Sequence, residues 1–163
     1  SFPSFQKPVA KQTIKERHNM QERDTINLLK ECNSGLKMAV NSINDVLDKV
    51  RSRQIHSLLE HSLHKHEELG NNVHSLLNSY NETTQKPGKI ATAMSWLMIN
   101  MKFLKTPTDY KIAEIMYDGC NMGIRSIYHY KNMYSDASGE AKNLASQIIE
   151  NEKYCMTELQ KYL

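Results

Sequence analysis

Histidine is the residue type through which this chain could do chemistry. Five of its seven, His56, His61, His64, His66 and His74, fall within one short stretch. An imidazole near neutral pH serves as a metal ligand or a proton carrier, so spacing decides which role is open to each. Glu60, His61, His64 and Glu68 put two imidazoles three residues apart, with carboxylates four residues to either side of His64. On one helix face such a set chelates a divalent ion when a third donor arrives. Without one it is a solvated charged face that stabilises its own helix. The HExxH pattern is absent and no third ligand can be named, so His61 and His64 stand as a surface alternative only. The three cysteines, Cys32, Cys120 and Cys155, are odd in number and show no CxxC spacing. Neither a disulfide framework nor a zinc ribbon follows, and a reducing cytoplasm is expected. No Ser/His/Asp or Cys/His arrangement can be defended from spacing. Gly119 and Gly123 fall inside a helical pattern with no strand before them, which excludes a phosphate loop.

The elements that must carry these residues are helices. Only 6 glycines and 4 prolines occur in 163 residues, about half the usual share and too few for a sheet protein of this size. With 39% hydrophobic and 24% charged residues, both global disorder and a membrane-spanning class are excluded. Ile26, Leu29, Leu36, Val40, Ile43, Leu47 and Val50 form one apolar stripe, which predicts a helix over residues 24–50. A second stripe starts out of phase: Ile55, Leu59, Ser62, His66, Leu69, Val73, Leu76 and Tyr80. The break predicts a tight turn at 51–54 with Ser52 as N-cap, or else a kink, and a helix over 52–80. Residues 90–104, IATAMSWLMINMKFL, are apolar nearly all round but too short to cross a bilayer of about 30 Å. They read as a connector helix or a contact between copies of the chain, a homo-oligomer formed through apolar surface near Trp96, Met98 and Met101. Thr106, Pro107 and Asp109 predict an N-terminus for a helix over 107–134, and Asp136 or Ser138 caps the last, over 138–162. Four helices of about 40 Å each, in two hairpins joined by one long connection, specify an antiparallel bundle with a lengthwise crossover.

The net charge of +3 belongs to the first 23 residues, where Lys7, Lys11, Lys15, Arg17 and Arg23 oppose Glu16 and Glu22. With Pro3, Pro8 and little periodicity, residues 1–23 read as a mobile basic tail preceding a bundle over 24–163. It is too thin in cations to argue for nucleic acid. SFPSF at its start lacks the apolar run of a signal peptide.

The second half, KIAEIMYDGCNMGIRSIYHY and then LASQIIENEKYCMTELQKYL, with the methionine-rich connector before it, resembles the ferritin-like superfamily. More closely it resembles a small bacterial ferritin-like family of unknown function whose crossover contains a helix. The likeness covers residues 24–163 and implies an all-α, four-helix up-down bundle. It also implies where a site would lie, because di-iron members place a Glu on each of two helices and a Glu-x-x-His on each of the others. At the matching depth this chain has Leu36 or Asn33 on the first helix and Leu63-x-x-His66 on the second. Glu114 and Asp118 flank the core stripe of the third, and the fourth has Glu152-x-x-Cys155. The resemblance thus carries over two ligands, His66 and Glu152.

A buried imidazole and a buried carboxylate on facing helices offset each other's desolvation by pairing. The alternative is a mononuclear or degenerate metal site, for iron or another divalent ion, with Asn33 or Cys155 assisting. The leading expectation is a non-enzymatic structural or protein-interaction module without a cofactor. Ferritin-like bundles of spore-forming bacteria include coat proteins, and a coat-associated role is the analogy this suggests. The rival is a metal-binding protein or degenerate di-iron-type oxidase at His66 and Glu152. Gly119 and Gly123, each costing about 1 kcal/mol against alanine, predict a close approach, expected from Trp96 or the connector methionines.

Overall fold

The computed structural model describes residues 11–82, 88–90, 99–101 and 104–163. Four long helices account for most of them: α1 (Ile14–Leu47), α2 (Arg53–Ser79), α3 (Asp109–Met133) and α4 (Gly139–Leu159), with a closing 3₁₀ turn at Gln160–Tyr162. Each begins on an oxygen that its sequence supplies. Ser52 Oγ accepts from Ile55 N–H, Thr108 Oγ1 from Lys111 N–H and Ser138 Oγ from Ala141 N–H. The turn at 51–54 is therefore real, and Ser52 caps α2 as its spacing predicts. The third helix starts two residues later than expected, with Thr108 as its cap in place of Thr106. That shift frees the Asp109 carboxylate to accept the N–H groups of Arg51 and Ser52, at 2.9 and 2.8 Å.

The first helix departs most from expectation, because residues 14–23 are helical where a tail was expected. Thr13 and Glu16 form a reciprocal capping box, the Thr13 hydroxyl accepting from Glu16 N–H and the Glu16 carboxylate from Thr13 N–H. Ten residues of α1 are thus exposed apart from half-buried Met20, and they need no apolar stripe because among the described residues they bury no face against another helix. Residues 1–10 of the expected tail lie outside the described residues.

Three ties between distant backbone segments define the topology. Asp109 joins the start of α3 to the turn between α1 and α2. At the other end of the bundle, Asp24 and Thr25 of α1 accept from Asp136 N–H and Ser138 N–H in the turn between α3 and α4. Lys30 reaches Glu82, just past α2, at 3.0 Å. So α2 ends where α3 ends, and the two run parallel. Helix α1 packs on α2 and α3, α4 packs on the same two, and α1 also meets α4 across the centre. Adjacent helices are antiparallel and diagonal ones parallel. Helix α2 stops on Asn81 at φ 57°, with Asn81 N–H on Asn78 O and Glu82 N–H on Leu77 O. Asparagine tolerates that left-handed corner better than other side-chain-bearing residues.

Leu28, Leu29, Leu36, Ile43, Ile55, Leu59, Leu69, Leu77 and Ile112 are fully buried in one core. Helix α1 buries a broader face than its predicted stripe, for Leu28, Cys32 and Val46 join it while Ile26, Val40 and Leu47 stay half-buried. Of the connector, Lys89–Ile90 and Ile99–Met101 are helical, and Trp96 and Met98 lie outside the described residues. Met101 is 1% exposed. It fills this chain's own core and offers no surface to a second copy, contrary to the expected oligomer contact. Among the described residues no helix is long and apolar enough to cross a membrane.

Candidate functional site

The two residues singled out by depth meet in the core. His66, 2% exposed on α2, and Glu152, 7% exposed on α4, are in direct contact through His66 Nε2 and Glu152 Oε1. The other ring nitrogen is also engaged: Nδ1–H donates to the Ser62 carbonyl at 2.7 Å, one helical turn back. Ser62 Oγ and the Asn151 side-chain amide lie 3.2 and 3.1 Å from the same nitrogen. Burial by itself pulls an imidazole below its ordinary pKa. Here the charge and hydrogen bond of Glu152, with the Ser62 carbonyl, outweigh it and hold His66 above that value. Nδ1 therefore carries a proton towards the Ser62 carbonyl, and Nε2 faces the Glu152 carboxyl group.

Gly123 of α3 faces Glu152. A β-carbon built on it would lie 3.6 Å from Glu152 Oε2. At Gly123 the Glu152 carboxylate is at ordinary contact distance; Trp96 and Met98, from which an approach was expected, lie outside the described residues. The connector's Ile90 approaches α1 instead, with its Cδ1 3.1 Å from where a Gly35 β-carbon would stand.

Beside the pair is a cavity of about 30 Å³, with Ser42, Ser62, His66, Cys120, Glu152 and Cys155 among its lining residues. The two cysteines differ in character. Cys155 sits below the ordinary thiol range, because a hydrogen bond from Cys120 outweighs burial and the Glu152 charge, with further help from Ser62 and His66. Cys120, the donor in that bond and itself buried near Glu152, is pushed well up. Cys32 lies elsewhere in the core, raised to about 12 by burial and by the charge of Glu31.

The remaining candidates do not join the site. Asn33 lines a groove between α1 and α2, with Lys37, Glu67 and Asn71, that touches the outer edge of His66. On the surface, His64 pairs with Glu67 at 3.6 Å and His61 lies edge-on to Tyr154. Glu68 and Glu60, the acids expected beside His64, are turned to Lys65 and His56. Among the described residues no group of three or more His, Cys, Asp or Glu side chains is placed to hold a metal ion. A di-iron centre needs more carboxylate oxygens than Glu152 supplies, and both nitrogens of His66 are already hydrogen-bonded, so this donor set does not fit one.

Sequence reasoning passed over Asn151 and Cys120 as members of the site. It also missed Glu31, a second buried acid on α1. The Glu31 carboxylate accepts from Lys89 N–H and Ile90 N–H, both at 2.9 Å, where the connector begins. Glu31 lies three residues after Leu28 and one before Cys32, and that spacing was the available signal. Comparison with protein-family models, with curated proteins and with solved structures finds no match for this chain.

Proposed function

We propose that the chain is a ferritin-like four-helix bundle serving as a structural or protein-interaction module. In this reading His66 and Glu152 form an internal ion pair at the depth where that superfamily keeps its metal. Support for the topology comes from the parallel α2 and α3 on one diagonal, with every adjacent pair antiparallel. The observation that carries the reading is the saturation of His66: Nε2 on Glu152 and Nδ1 on Ser62 leave no ring nitrogen for a ligand. A catalytic imidazole needs a reacting partner within hydrogen-bond reach, and this one has spent both nitrogens on the fold.

The test is metal analysis after anaerobic loading with Fe(II), Zn(II) or Mn(II), on the wild-type chain, on His66→Ala and on the double variant His61→Ala/His64→Ala. The expected result is no stoichiometric metal that depends on His66. One ion per chain, lost in His66→Ala and kept in the double variant, overturns the proposal in favour of a metal-binding protein or degenerate oxidase.

A further inference from the structure

The contact between Gly123 and Glu152 fixes the register of α3 against α4. Antiparallel helices keep the sum of facing residue numbers nearly constant, and three residues back on α3 meets three residues on along α4. Cys120 therefore faces Cys155. The hydrogen bond from Lys131 to Ser146 Oγ further along the same interface agrees. Both thiols line the central cavity and both are buried, at 5% and 2% exposure. Gly119 and Gly123, beside Cys120 on α3, line the same cavity.

We propose that Cys120 and Cys155 form a reversible dithiol–disulfide pair, in which Cys155 attacks a small hydroperoxide admitted to the cavity and Cys120 resolves the product. The cavity sets the size of the oxidant. One water-sized centre takes up about 10–15 Å³ of such space, so about 30 Å³ suits two oxygen atoms, as in hydrogen peroxide, and excludes a peptide disulfide.

In the first step the Cys155 thiolate bonds to one peroxide oxygen and the O–O bond breaks. The departing hydroxide takes up the proton that Cys155 had released and leaves as water, while Cys155 becomes a sulfenic acid. In the second, Cys120 sulfur attacks Cys155 sulfur, the S–O bond breaks, and hydroxide leaves with the Cys120 proton as a second water. Two thiols are oxidised by two electrons and one peroxide is reduced to two waters. A dithiol reverses the change by exchange once the sulfurs are exposed, as in the opened or digested chain. The register and the shared cavity place the two sulfurs together, and the Cys120→Ser and Cys155→Ser variants decide which attacks. The product is a covalent staple between α3 and α4 beside the ion pair, and it rests on the register alone, not on the proposed function.

The experiment treats the full reduced chain with one equivalent of hydrogen peroxide, then counts thiols and maps cross-links by mass spectrometry of a non-reducing digest. Two thiols lost to a Cys120–Cys155 peptide pair, restored by dithiothreitol, is the expected result. Cys120→Ser should stop at a sulfenic acid on Cys155 that dimedone traps, and Cys155→Ser should lose at least tenfold in rate. Glutathione disulfide should react at least tenfold more slowly than peroxide. Oxidation confined to Cys32, cross-links only between chains, or an unchanged rate in Cys155→Ser overturns the proposal. The wild-type cross-link map decides the matter even where a serine variant fails to fold.

Discussion

Two glutamates are buried among the described residues, Glu31 on α1 and Glu152 on α4, and the bundle satisfies them in different currencies. Glu31 accepts backbone N–H groups at Lys89 and Ile90, where a helical segment starts and its amides have no partners of their own. Glu152 accepts from the His66 side chain. The first arrangement contains no titrating donor and depends on where the main chain runs. The second depends on one imidazole and its proton. Burying a carboxylate requires N–H donors, but the source of the donor decides what can break the site.

The largest effect belongs to the side-chain pair. His66→Ala strands a buried carboxylate and should lower stability by about 3–5 kcal/mol, read from denaturant midpoints at constant slope. The double variant His66→Leu/Glu152→Leu removes both polar groups and should recover most of that loss. If His66→Ala shifts the midpoint by less than a tenth of this, the pair does not hold the bundle. At the other glutamate, Glu31→Gln keeps an acceptor oxygen but gives up the charge. It should cost about 1–3 kcal/mol, with hydrogen exchange quickening first at the Lys89 and Ile90 amides.

Proton dependence separates the two sites further. The His66 pKa is raised in the folded chain by Glu152 against the pull of burial. Its contribution is thus fully present below the ordinary value of 6.5 and is lost as pH rises through the folded value. The slope cannot exceed about 1.4 kcal/mol per pH unit. Wild type and Glu31→Gln should share this decline as pH rises above 6.5, and His66→Phe should abolish it; a decline that survives in His66→Phe assigns it to another group.

The smallest effects come from the glycine beside each carboxylate. A β-carbon on Gly88 would stand 2.6 Å from Glu31 Oε2, whereas on Gly123 it would stand an ordinary 3.6 Å from Glu152. Gly88→Ala should therefore destabilise by about 1–2 kcal/mol through overpacking. Gly123→Ala should be neutral or gain up to about 1 kcal/mol of helix propensity. Thermal midpoints of the two variants measured side by side would show whether they part in this direction.

The apolar stripes of α2, α3 and α4 were legible because each meets the core on one side, and periodicity records that. The first ten residues of α1 were not read as helix, since they are exposed and among the described residues meet no core that would impose a stripe. Their signal was local, Thr13 and Glu16 three apart, and capping chemistry rather than burial starts that helix. His66 was legible as a polar residue on an apolar stripe, and Glu152 as an acid at matching depth. Cys120 and Asn151 were not, because a small or neutral polar residue near a stripe looks the same whether it faces a cavity, a partner helix or the rim. Glu31 escaped because its donors are main-chain amides, which every residue but proline carries and no side-chain pattern reveals.

By itself the sequence determined that the chain is helical, where most helices turn, and that His66 and Glu152 face inward. These depend on residue type, local capping and a periodicity of 3.6, all short-range properties. The tertiary structure alone decided that His66 Nε2 meets Glu152 while Nδ1 meets Ser62, that Glu31 caps the connector, and that Cys120 faces Cys155 across α3 and α4. Apart from the Ser62 carbonyl, one turn back on α2, each joins residues from separate helices or from distant turns. Their relative height and rotation come from packing the whole core at once, and no local spacing encodes that.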